Sequence, residues 1–209
     1  MSNVLKDEIA SHELPATPMD PAIMAKREEK IQVAMIGLCG CWGCTLSFLD
    51  MDAGLLSLLD KINISRASIT DIKRIPKRCA IGFVEGGVAN DENIETLEHF
   101  RENCDILISV GACAVWGGVP AMRNDVELEA CFKEAYIDSP TAVPGIKPVI
   151  PFHEDLPLIT SKVYPCHEVV KMDYFLPGCP PEGEAIFKVL DDLVNGREID
   201  LPTSINRYD

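Results

Sequence analysis

Ile31-Gln32-Val33-Ala34-Met35-Ile36-Gly37-Leu38-Cys39-Gly40-Cys41-Trp42-Gly43-Cys44 decides how the rest of this chain is read. Eight residues of largely apolar run, too short for a helix and bounded by a glycine-cysteine cluster, read as a buried strand, Ile31 to Leu38, that ends in a loop with thiols. Downstream the same grammar returns. Ile106 to Val110 is a buried strand that stops at Gly111 two residues before Cys113, and Tyr174 to Leu176 leads into Pro177-Gly178-Cys179-Pro180-Pro181.

Between these strands the spacing predicts helices. Thr45 to Leu59, with Leu46, Leu49, Leu55, Leu56, Leu58 and Leu59, reads as a largely buried helix. Asp91 to Asn103 reads as another, with Asn90 as its N-cap and acidic residues in its first turn. Further helices are expected around Val126 to Tyr136 and up to Asn195-Gly196, and further strands at Ser68 to Ile75 and Cys79 to Val84, the latter running into Glu85-Gly86-Gly87. Strands alternating with helices imply right-handed crossovers, hence an α/β fold with a parallel sheet covered on both faces. Residues 1–30 read as an N-terminal extension, 31–196 as the domain, and 197–209 as a C-terminal tail. The proline-punctuated stretch from Pro140 to Pro165 is longer than most internal connections, and such loops usually carry function or a partner.

A chain of 209 residues builds one core without covalent staples, so its nine cysteines are not there to rescue a small domain. Their odd number, and the lack of an apolar leader, point to the cytoplasm, where clustered thiols bind metal more often than they pair. The formal charge of −14 leaves no basic face for a nucleic acid, and no apolar stretch reaches the ~20 residues that span a bilayer.

In an open parallel sheet all carboxyl ends of the strands lie along one edge, where ligands bind. Cys41, Cys44, Cys113 and Cys179 each follow a strand end, so three segments deliver four thiolates to one place. Four thiolates suit a tetrahedral zinc or a 4Fe-4S cubane. Structural zinc usually draws on two short Cys-x-x-Cys knuckles, whereas one pair here is joined by two isolated cysteines, and Cys179-Pro180 matches the Cys-Pro ending of ferredoxin-type ligation. Cys39 competes for the first corner, but Cys41 and Cys44 have the two-residue gap that lets one loop present both thiolates. Cys79, Cys104 and Cys131 read as small buried hydrophobes, and Cys166-His167 is a weak ligand pair that more often packs.

Four motifs now carry a likeness: Cys41-Trp42-Gly43-Cys44-Thr45-Leu46-Ser47, Val84-Glu85-Gly86-Gly87-Val88, Val110-Gly111-Ala112-Cys113-Ala114 with Gly117-Gly118-Val119-Pro120-Ala121, and Pro177-Gly178-Cys179-Pro180-Pro181. From about Ile31 to Asn195 the sequence resembles the small subunits of nickel-iron hydrogenases, above all those of soluble, bidirectional NAD-reducing enzymes. The resemblance implies a flavodoxin-like, doubly wound parallel sheet in which Cys41, Cys44, Cys113 and Cys179 hold one proximal 4Fe-4S cluster, with Trp42, Glu85 and Trp116 near its edge. It further implies that the nickel-iron centre lies on a large-subunit partner. By the same resemblance, electrons are expected to pass on to diaphorase subunits carrying further iron-sulfur clusters, FMN and the NAD site. The two extra clusters of membrane-bound relatives are not expected, since no cysteine follows Cys179.

For some members the resemblance also implies an FMN close to this cluster, although the strand-helix turn that would cradle its phosphate is taken by the cysteine loop. Many relatives carry Glu directly before the first ligand, at a place implicated in proton movement, where this chain has Gly40. Two rivals stay open on the sequence: a cluster subunit of the complex I type, which shares the Gly-Cys-Pro-Pro ending but typically has adjacent cysteines in its first motif, and a zinc-stabilised interaction domain.

Overall fold

A computed structural model describes residues 25–26, 29–68, 70, 72, 75, 77–141, 143, 145 and 147–205. Five parallel strands form the central sheet: β1 (Ile31–Gly37), β2 (Ile62–Arg66), β3 (Cys79–Glu85), and, after the short β4 (Val88–Asn90), β5 (Cys104–Val110), with β7 (Tyr174–Leu176) at the far edge. Their order, β2-β1-β3-β5-β7, is the 2-1-3-4-5 order of flavodoxin-like folds. The expected α/β fold is therefore present. A second, antiparallel pair joins β4 to β6 (Ile159–Tyr164).

The alternation of strand side chains divides the core between the two faces of the sheet. On one face, Val33 and Met35 of β1 and Ile81 and Phe83 of β3 meet Phe48 of α1 (Gly43–Leu49), Leu58 of α2 (Ala53–Leu58) and the buried stripe of the last helix. On the other, Ala34, Val84 and Leu107 meet Leu97 and Phe100 of α3 (Asp91–Asn103). That helix begins where expected, with the Asn90 side chain accepting the Asn93 N–H at 2.8 Å. Two shorter helices, α4 (Gly111–Trp116) and α5 (Leu128–Phe132), precede α6 (Gly183–Val194). Ile199, Leu201 and Ile205 pack against the first core.

Four expectations need correction. The stretch Thr45 to Leu59 is two helices, broken at Asp50 to Asp52 where Asp52 takes a positive φ of 48°. It is not largely buried, since Leu46 is 60 % and Leu56 68 % exposed and, of its leucines, only Leu58 is inside. The second strand is Ile62–Arg66; of the expected Ser68 to Ile75, the described residues Ser68, Thr70, Ile72 and Ile75 lie in no strand, and the others fall outside the described residues. The helix expected at Val126 to Tyr136 starts at Leu128 and widens after Phe132 into a five-residue repeat closed by the Asp138 N–H on the Lys133 carbonyl. Finally, the proline-rich stretch contains β6, an exposed strand held by its pairing to β4.

Candidate metal centre

All four candidate cysteines line one pocket at the carboxyl edge of the sheet, with about 370 Å³ of space free of protein atoms, counted out to the solvent at its mouth. It lies across the point where the strand order reverses, between β1 and β3, the place where open α/β sheets bind ligands. The loop after β1 is pinned to the turn after β3 by two backbone bonds, Cys39 N–H to the Gly87 carbonyl at 2.9 Å and Gly87 N–H to the Cys39 carbonyl at 2.8 Å. Trp42 then takes a left-handed turn (φ 67°) and α1 starts, placing Cys44 one residue inside its first turn. Ala112 N–H reaches the Gly178 carbonyl at 2.8 Å, tying the loop that bears Cys113 to the one that bears Cys179.

Backbone without side chains lets the thiols crowd in. A Cβ on Gly111, whose φ is +82°, would stand 2.3 Å from the Cys44 sulfur, and one on Gly118, at φ +50°, would stand 3.0 Å from the Cys113 sulfur. Burial first, then the Glu85 carboxylate and the neighbouring Cys113 and Cys41, push the Cys44 thiol well above its usual range. Cys113 is raised by burial and by Cys179 and Cys41. Without a compensating cation these thiols resist ionisation, and a metal's positive charge reverses that order.

The donor set fits an iron-sulfur cluster. The four thiols ring the pocket from three loops, an all-thiolate donor set of the kind that holds a 4Fe-4S centre. An FMN phosphate does not fit the β1–α1 turn. The helix amides that would cradle it, those of Cys44 and Thr45, already donate to Glu85 Oε2 at 3.0 and 3.3 Å.

Of the other residues singled out, Glu85 lines the pocket, and Trp42 stands over Gly37 at the loop. Trp116 lies on a separate pocket with Tyr164 and His167. Cys39 acts through its backbone bridge. Cys166 is buried behind the pocket wall, its thiol donating to the Gly86 carbonyl at 3.5 Å and pushed up to about 12 by burial. His167 packs edge-on against Phe175 at 5.8 Å. Sequence reasoning missed Thr45, whose hydroxyl donates to Glu85 Oε1, and the only signal for it was its place one residue after a ligand candidate.

A 2-1-3-4-5 sheet that gives its ligand edge to cysteine loops rather than to a phosphate loop defines a class of redox-type α/β subunit. The chain belongs to the family described as NADH ubiquinone oxidoreductase, 20 Kd subunit, whose family model matches residues 41–193. It is 79 % identical over 204 residues to the NAD-reducing hydrogenase HoxS subunit delta of Cupriavidus necator, covering 98 % of each chain. It is also 38 % identical to an F420-non-reducing hydrogenase subunit of Methanothermobacter marburgensis over 84 % of this chain, spanning 57 % of that longer relative. Among solved structures, a chain of an NAD+-reducing [NiFe]-hydrogenase in the H2-reduced state superimposes with a TM-score of 0.82 at 42 % identity, over 86 % of this chain and 99 % of that one. The resemblance read from the cysteine motifs is thus borne out, and the hydrogenase branch of the family is favoured over the respiratory one.

Proposed function

We propose that this chain is the small, electron-transferring subunit of a cytoplasmic H2:NAD+ oxidoreductase, with one 4Fe-4S cluster held by Cys41, Cys44, Cys113 and Cys179 in the 31–196 domain. The observation that carries this reading is the gathering of those four thiols from three loops at one pocket. When bound, the cluster supplies one-electron relay between the partner's nickel-iron site, where H2 yields two protons and two electrons, and the diaphorase subunits that return both electrons and one proton to NAD+.

This chain's own part is to hold and to shield. The Gly111 and Gly118 backbone lets sulfurs approach closely, and the bridges at Cys39–Gly87 and Ala112–Gly178 keep the loops at fixed spacing. Trp42, Leu46 and Leu49, all exposed around the turn that carries Cys44, form an apolar rim suited to the large subunit, whose docking would exclude water from the pocket. No described helix is long and apolar enough to cross a membrane.

The test is hydrogen-dependent NAD+ reduction by the complex recovered anaerobically on a tag fused to this chain, with NADP+ as parallel acceptor. Activity that disappears in Cys179→Ser supports the assignment. An intact brown complex with no hydrogen activity towards any acceptor overturns it and leaves an electron carrier of the respiratory type.

A further inference from the structure

Among the described residues lining the cysteine pocket, one ionisable side chain is not a thiol: Glu85, the last residue of β3 and only 6 % exposed. The donors it accepts from belong to the start of α1. Oε2 accepts the Cys44 N–H at 3.0 Å and the Thr45 N–H at 3.3 Å, and Oε1 accepts the hydroxyl of Thr45, itself buried. Helix α1 has no cap of its own, because Trp42 at the N-cap position offers no side-chain acceptor. The first N–H groups of a helix need partners from elsewhere, and a carboxylate there is a charge-assisted one.

We propose that Glu85 is a positioning residue for the cluster: from a neighbouring strand it fixes the helix start that bears Cys44, and its buried negative charge lowers the reduction potential of the centre these thiols hold. The inference rests on the four-cysteine ligation proposed above. Two effects act with the same sign. Amides turned to Glu85 cannot donate to cluster sulfurs, where they would favour the more negative reduced state. A fixed charge beside the centre, buried and so weakly screened, opposes addition of an electron. Gly37 leaves space for this arrangement, since a Cβ there would meet Glu85 Oε1 at 3.3 Å and the Trp42 ring at 3.2 Å.

The experiment is a redox titration of the anaerobically purified whole complex, followed by the electron paramagnetic resonance signal of this cluster, with iron counted per chain. Glu85→Gln keeps the size of the side chain and removes its charge. It is expected to retain iron and to shift the one-electron reduction equilibrium at least tenfold towards the reduced form, about 59 mV upwards. Thr45→Val removes the hydroxyl that neutralises part of the charge and is expected to move the potential the other way, with iron retained. Opposite shifts of the two variants support the proposal, and a purely structural cap would not produce them. Wild-type potential in both variants with full iron overturns it, as does loss of iron in Glu85→Gln with no shift in Thr45→Val. A wild-type complex carrying zinc or no iron on this chain would instead sink the ligation reading itself, before any variant is compared.

Discussion

Gly111→Ala separates the cost of a strained backbone from the cost of a displaced ligand. At φ +82° an alanine incurs the left-handed penalty of about 1–2 kcal/mol. Its Cβ would also stand 2.3 Å from the Cys44 sulfur, and contacts under 3.0 Å essentially never occur, so the thiol has to retreat by roughly 0.7 Å. Metal-ligand distances hold to within about 0.2 Å, so with Cys44 as a ligand, as proposed above, a displacement of that size costs the cluster one corner. Gly196 provides the control: it has φ +67°, and a Cβ added there would meet nothing within 4 Å, so Gly196→Ala carries the strain alone. For a chain of this length that strain lowers Tm by about 2–8 °C. The assay is iron per chain and visible absorption, alongside thermal unfolding, for both variants. Gly196→Ala is expected to stay fully loaded, and Gly111→Ala to lose about one iron or the whole cluster. Equal iron content in both, with equal losses of Tm, would refute the close approach of Gly111 to Cys44 as a constraint on the site.

Arg101 donates to Asp173 Oδ2 at 2.7 Å and to the Cys104 and Asp105 carbonyls at 2.7 and 2.9 Å, binding α3 to the starts of two strands. Arg101→Ala takes the strongest partner from the partly buried Asp173 carboxylate, leaving it the Leu107 N–H and Lys171, and should cost about 1–3 kcal/mol, read as a lower urea midpoint. Burial works against ionisation of Asp173, yet the Arg101 hydrogen bond, the Leu107 N–H and Lys171 hold its carboxyl below the ordinary range. Asp192 is likewise held low by Lys188 and then Arg197. A lowered folded value means stability present above the unfolded pKa of about 3.9 and lost as pH falls through the folded one, so urea midpoints should drop below about pH 4 and drop less steeply in Asp173→Asn. Leu190→Ala, on the buried stripe of α6, should cost about 2–5 kcal/mol in equilibrium unfolding while leaving the pocket cysteines in place.

The core strands were legible because both their faces are covered, which makes β1, β3 and β5 continuous apolar runs. Strand β2 was missed because Ile62-Asn63-Ile64-Ser65-Arg66 is a short edge with polar residues inside it, and β6 because most of its side chains face solvent. The leucines of α1 and α2 misled for a different reason. Periodicity reports that a surface will be covered, not by what, and Leu46 and Leu56 are bare on this chain. At the site, cysteine positions after strand ends were enough to gather the four thiols. The Glu85–Thr45 bond was not legible, because it joins residues 40 apart whose proximity depends on the register between β1 and β3.

The pocket draws on the ends of β1, β3, β5 and β7, so its first and last cysteines, Cys41 and Cys179, are separated by most of the domain. On the ligation proposed above, a nascent chain that has exposed Cys41, Cys44 and Cys113 lacks its fourth thiol until β7 leaves the ribosome and docks on β5. With that ligand set, cluster loading is a late step that reports on finished folding, because a chain truncated before β7 or docked out of register lacks the complete four-thiol pocket.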